Sequence, residues 1–124
     1  MPDEPIPEDI RQFILDYIDS IAQLEALQLL RREPGTGWTI SALAQRLYIE
    51  EAQAEDALEG LRDARLVASN DDTFRLAPQS SGQGSLLDRL LDLYTRHLIP
   101  VTNLVHAKPR VRAFADAFKF RKDR

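Results

Sequence analysis

The stretch ISALAQRLYIEEAQAEDALEGLRDARLVAS, residues 40–69, decides how the chain folds. Leu43, Ala44 and Leu47 share one face of a short helix, with Thr39 or Ser41 as its capping residue. Ala54, Ala57, Leu58 and Leu61 share one face of a longer helix, and LYIEE between them supplies a turn. LVAS and TFRL then read as two short strands around Asn70, Asp71 and Asp72, a hairpin signal. The same stretch is crowded with carboxylates: residues 50–63 hold six Asp/Glu and a single Arg.

Upstream, Ile10, Phe13, Ile14, Tyr17 and Ile18 recur at helical spacing after a Pro-rich start. Ser20 with Gln23 has the form of a capping box and opens a second helix running to Arg32. EPGTG stops it, because proline and two glycines cannot continue a helix. Trp38 and Thr39 follow as a short extended piece, and burial of the Trp38 ring against the first helix is expected to anchor that piece to the hairpin.

Downstream, APQSSGQGS, residues 77–85, reads as a polar, Gly/Ser-rich linker. A strongly apolar helix follows, carrying Leu87, Leu90, Leu91, Tyr94 and Leu98 and continuing across a kink at Pro100. Beyond Pro109, Val111, Phe114, Ala115 and Phe118 recur at helical spacing before KFRKDR ends the sequence in charge. The expected organisation is a helical extension over 1–19, a central domain over 20–77, a linker over 78–85 and a helical segment over 86–124. The fold class is mainly α with a minor β part.

A length of 124 residues suits one folding unit, and a 44% hydrophobic, 29% charged composition suits a globular chain. The absence of cysteine excludes disulfides, thiol nucleophiles and thiolate metal sites. The start is acidic where a signal peptide would be basic, and no apolar run approaches the roughly 18 residues of a membrane span, so a cytoplasmic protein is expected. His97 and His106 lack acids at ligand spacing, and the sequence contains neither Gly-x-Ser-x-Gly nor His-Glu-x-x-His. No enzyme activity, cofactor or metal is expected.

WTISALAQRLYIEEAQAEDALEGLRDARLVAS resembles the winged helix-turn-helix domains of bacterial transcriptional regulators of the MarR and PadR kinds, over roughly residues 20–77. Leu43-Ala44 stand where that family places a Leu-Ala pair in the first helix of its motif. Leu66-Val67 stand where it places a Leu-Val pair entering the wing, and Ile49, Ala54, Leu58 and Leu61 match its apolar anchors. The resemblance implies a winged helix-turn-helix with flanking N- and C-terminal helices and a role in transcription regulation. It puts the recognition surface at Glu51, Gln53, Glu55, Asp56 and Glu59 and the wing at Asn70, Asp71, Asp72 and Arg75. The family's contact positions usually carry Ser, Thr, Lys, Arg and Asn, and its customary glycine before the Leu-Val pair is Arg65 in this chain.

Charge divides the expected partners. Residues 1–79 carry 16 Asp/Glu against 7 Lys/Arg, whereas residues 106–124 carry 7 Lys/Arg against 2 Asp/Glu. DNA affinity comes largely from cations neutralising phosphates, so an acidic recognition helix is repelled from the groove. Any DNA contact is therefore expected from a basic tail of Lys108, Arg110, Arg112, Lys119, Arg121, Lys122 and Arg124. The alternative is a protein-interaction module whose acidic helix meets a basic partner. A homodimer is expected through Phe13, Tyr17, Leu87, Leu90, Leu91, Tyr94, Leu98, Phe114 and Phe118, because the flanking helices carry more apolar surface than a domain of about 60 residues covers.

Overall fold

The structure, a computed structural model, describes residues 6–108. The chain is mainly helical with one small antiparallel sheet. In order it forms α1 (Glu8–Tyr17), α2 (Ile21–Arg32), α3 (Ile40–Leu47), α4 (Glu51–Asp63), β1 (Val67–Asn70), β2 (Thr73–Leu76) and α5 (Ser81–Arg96). A further helix, α6, begins at residue 98 and continues to 108.

Capping explains most of the boundaries. At α2 the Ser20 hydroxyl accepts from the Gln23 amide at 3.2 Å, while Gln23 Oε1 accepts from the Asp19 amide at 2.6 Å, one residue earlier than in a standard capping box. Thr39 caps α3 through the Ala42 amide at 3.0 Å. The linker expected over 78–85 is corrected: its last five residues are the opening of α5, with Ser80 Oγ accepting from the Gln83 amide at 3.1 Å and Gln83 Oε1 from the Gln79 amide at 2.6 Å. The cap, typically worth about 1 kcal/mol, offsets part of the helix cost of Gly82 and Gly84, about 1 kcal/mol each relative to alanine, and the packing of α5 on α1 and α2 supplies the rest. The helix expected to continue across a kink at Pro100 is interrupted at His97 instead, whose amide closes α5 on Leu93 and whose carbonyl opens α6 through Val101. Pro100 sits in the first turn of α6, where its missing N–H costs nothing.

Two helices end on left-handed residues that are not glycine. Tyr48 (φ 60°) closes α3 and Arg65 (φ 65°) closes α4. In both, the next residue's amide reaches back five positions, Ile49 to Ala44 and Leu66 to Leu61, which is the Schellman pattern. Leu66 and Leu61 are both buried, the apolar contact that usually accompanies the motif.

β1 and β2 pair from Val67 opposite Leu76 to Asn70 opposite Thr73, around a two-residue turn in which Asp71 takes φ 59°. Trp38 adds a third short edge: its amide donates to the Phe74 carbonyl at 3.2 Å and receives the Phe74 amide on its own carbonyl at 2.8 Å. The ring is buried, with the Arg46 guanidinium carbon 5.7 Å from its centroid.

One apolar cluster runs from Ile6 to Val105 and includes side chains from all six helices and from the sheet. α5 packs on α1 and α2, so the expected terminal segments share the core of the central domain. This corrects the expected dimer face. Phe13, Leu87, Leu90, Leu91 and Tyr94 are buried inside the single chain, where burying each large apolar side chain contributes roughly 1.5–3 kcal/mol. Of the remaining expected contacts, Tyr17 and Leu98 are exposed, and Phe114 and Phe118 lie outside the described residues.

Candidate functional site

α4 is two-faced. Ala54, Ala57, Leu58 and Leu61 are buried where the helix packs on α2 and α3, and the opposite face presents Glu51, Gln53, Glu55, Asp56, Glu59 and Asp63 to solvent. Among the described residues, no cation pairs with any of these five carboxylates or with Glu50. The ion pairs lie elsewhere: Arg31 with Asp88 and Asp92, Arg46 with Glu33, Arg89 with Asp9, and Lys108 with Asp19. Arg62, the single arginine of α4, turns toward the hairpin. Its Nη1 donates to Ser69 Oγ at 3.3 Å, and its guanidinium carbon lies 6.0 Å from the Phe74 ring.

The expected surface residues are therefore brought together on one exposed face. Asn70, Asp71 and Asp72 are exposed at the hairpin tip and add two more acids, with Arg75 exposed on β2. Tyr48, in the turn between α3 and α4, is 94% exposed. Its place in the LYIEE turn gives no sign of that exposure. A bulky left-handed residue costs of order 1–3 kcal/mol in backbone strain, and a side chain this exposed returns little packing to offset it.

Between the start of α2 and α4 lies an open cleft of about 380 Å³, lined in part by Asp19, Gln23, Gln53, Asp56 and Gly60. Gly60 makes the close approach possible: a Cβ there would stand 2.5 Å from Gln23 Nε2. Gln23 is only 3% exposed and spends its Oε1 on the Asp19 amide, which fixes the amide orientation. Its Nε2 finds no acceptor among the described residues.

The basic tail is corrected at its first member. Lys108 is 2% exposed, and its Nζ donates to the carbonyls of Ile14 at 3.2 Å and Ile18 at 2.6 Å and to Asp19 Oδ1 at 2.8 Å. It satisfies the last carbonyls of α1 from a distant helix, so its charge is unavailable to phosphate. Arg110, Arg112, Lys119, Arg121, Lys122 and Arg124 lie outside the described residues.

Arg89 and Tyr94 are among the residues whose polar contacts tie α5 to α1 and α2. Arg89 grips Asp9 with both guanidinium nitrogens, at 2.8 and 3.2 Å, and that bond holds the Asp9 carboxyl below its ordinary range. Tyr94 Oη donates to Glu25 Oε2, and burial, reinforced by that bond and by the Glu25 charge, pushes the phenol's pKa well up.

Among the described residues, no helix is long and apolar enough to cross a membrane. Comparison with protein-family models, with curated proteins and with solved structures finds no match for this chain.

Proposed function

We propose that this chain is a winged-helix protein whose recognition helix, α4, docks a basic protein surface. The order α3, turn, α4, hairpin, with Trp38 as a third edge, supports the winged-helix reading. The observation that carries the docking reading is the row of exposed α4 carboxylates without ion-pair partners among the described residues. A surface of one sign steers an oppositely charged partner and repels DNA. Tyr48, exposed in the turn that precedes α4, offers an aromatic face to a partner's Arg or Lys.

A second reading, a dimeric transcription regulator with α4 in the major groove, has the fold frame in its favour, because carboxylates can accept from cytosine N4. Titrating the full chain with hexa-arginine and, separately, with a labelled DNA duplex separates the two. Docking predicts that hexa-arginine shifts α4 amide resonances, and that Glu55→Gln with Asp56→Asn weakens this binding several-fold at low salt, where surface charges are least screened. A sequence-specific duplex complex destroyed by the same double substitution would overturn docking in favour of DNA reading.

A further inference from the structure

We infer that the cleft between α2 and α5 binds a small α-amino acid with an apolar side chain, taking its ammonium group at Glu25 and its carboxylate at Arg32.

The cleft, about 240 Å³, is lined by Glu25, Gln28 and Arg32 of α2, by Tyr94 and Thr95 of α5 and by Leu98 at the start of α6. Sites for drug-sized ligands run to roughly 300–1,000 Å³, so this one suits a smaller molecule. Its frame is fixed by hydrogen bonds between the helices. Gln28 Nε2 donates to the Leu91 carbonyl at 3.0 Å and to Thr95 Oγ1 at 2.9 Å. The hydroxyl of the buried Tyr94 donates to Glu25 Oε2, which orients the carboxylate and leaves Oε1 to accept from a ligand.

Charge defines what the ligand carries. Arg31 pairs with Asp88 and Asp92, whereas neither Glu25 nor Arg32 has an ion-pair partner among the described residues, and the two do not pair with each other. A carboxylate and a guanidinium therefore line one cleft, each without a counter-ion. A ligand cation alone would set its charge near Arg32, and an anion alone near Glu25. A zwitterion answers both.

Spacing defines how far apart the ligand's charges lie. Glu25 and Arg32 stand seven residues apart, nearly two turns, so they share a face of α2 with about 10.5 Å between them along the axis. An α-amino acid, whose ammonium and carboxylate lie roughly 3 Å apart, spans about 8–9 Å once each end makes a charged hydrogen bond of about 2.8 Å. Two long side chains close easily on that span. Leu98, 49% exposed at the edge of the cleft, selects an apolar side chain, which would cover it.

Titrating the isotope-labelled full chain with L-leucine should shift the amide resonances of Glu25, Gln28, Thr95 and Leu98 and saturate. Isocaproate, which lacks the ammonium, and isoamylamine, which lacks the carboxylate, should each bind at least about tenfold more weakly, the effect of losing a hydrogen bond between charged groups. Glycine, with no side chain to cover Leu98, should bind several-fold more weakly. Glu25→Gln and Arg32→Gln should each weaken leucine binding by the same factor as the ligand group they face. Arg32 is exposed, so its replacement leaves the fold intact, and Arg32→Lys should recover part of the loss. No saturable shift with leucine overturns the inference. So does isocaproate, isoamylamine or glycine binding as tightly as leucine, or an Arg32→Gln chain that binds leucine as the parent does.

Discussion

Lys108 and the carboxylates of α4 are charges of opposite fate. Lys108 is buried, with its Nζ within hydrogen-bond reach of three acceptors at the end of α1, the Ile14 and Ile18 carbonyls and Asp19 Oδ1. The α4 acids are solvated and without ion-pair partners among the described residues. Both belong to stretches where charge of one sign dominates the sequence, and composition alone assigns both to a binding surface. The structure separates them by burial: the charge inside holds two helices together, and the charges outside remain free to meet something else. A buried ion whose hydrogen bonds are complete is an internal fastener, and removing it strands polar groups. An exposed row of like charge weakens its own helix slightly and is retained only where another use compensates.

The largest effect should come from breaking the buried contact. Lys108→Met keeps the length of the side chain and removes the ammonium, leaving the Ile18 carbonyl without the Lys108 donor and the Ile14 carbonyl with the Ile18 amide alone, and should cost about 3 kcal/mol. Asp19→Asn should cost under about 1 kcal/mol, because the Asp19 side chain is 63% exposed and water can replace it as the acceptor. Urea denaturation of both variants measures the difference. Equal effects would mean that the carboxylate, and not the capped helix end, is what Lys108 serves.

A second buried contact tests the same side of the comparison by pH. The Tyr94 phenol has a raised pKa, so the folded state resists its ionisation more than the unfolded state does. Its contribution is complete below the ordinary tyrosine value of about 10 and is lost as pH rises from there toward the folded value. Tyr94→Phe should cost about 1.5 kcal/mol at neutral pH, since the phenol donates to a charged acceptor, Glu25. It should also flatten the loss of stability between pH 10 and pH 12. An unchanged alkaline slope would show that Tyr94 does not govern it.

The two left-handed helix ends bring the comparison down to single residues. Arg65→Gly should stabilise by about 1 kcal/mol by releasing backbone strain, and it should leave binding at α4 unchanged. Tyr48→Gly should stabilise similarly but weaken hexa-arginine binding, because it removes the exposed ring in the turn that precedes α4. Thermal melts and titrations of both variants check this, and equal behaviour in binding would remove Tyr48 from the face.

The apolar spacing made most of this fold legible. Leu43, Ala44, Ala54, Leu58 and Leu61 are buried as their periodicity predicts, and the hairpin forms around Asn70–Thr73. The start of α5 was missed although Ser80 and Gln83 repeat the spacing of Ser20 and Gln23, because Gly82 and Gly84 gave the stretch the composition of a linker. The burial of Phe13, Leu87, Leu90, Leu91 and Tyr94 within the chain was not legible for a different reason. Helical spacing reports that a face is apolar but cannot report whether its cover comes from the same chain. At the candidate site, the exposed acids were readable from the sequence. The burial of Lys108 and the exposure of Tyr48 were not, since each depends on contacts or conformations that no local pattern encodes.

The smallest expected effect on stability is the most informative about α4. Glu51, Glu55 and Glu59 stand four residues apart along the exposed face, and like charges at that spacing repel by roughly 0.2–0.5 kcal/mol per pair. Replacing Glu51, Glu55 and Glu59 with Gln and Asp56 with Asn should therefore stabilise the folded chain by about 0.5 kcal/mol at low salt. The gain should shrink toward zero near 1 M salt, where the screening length of about 3 Å isolates neighbouring charges. The same substitutions should abolish hexa-arginine binding. Urea titrations at two salt concentrations, run beside the binding assay, read both quantities from one variant. A clear loss of stability would mean that these carboxylates serve the fold as Lys108 does, and the contrast between the two regions would collapse. A gain in stability joined to a loss of binding would mark the row as a surface kept at the expense of its own helix, which is what a docking face requires.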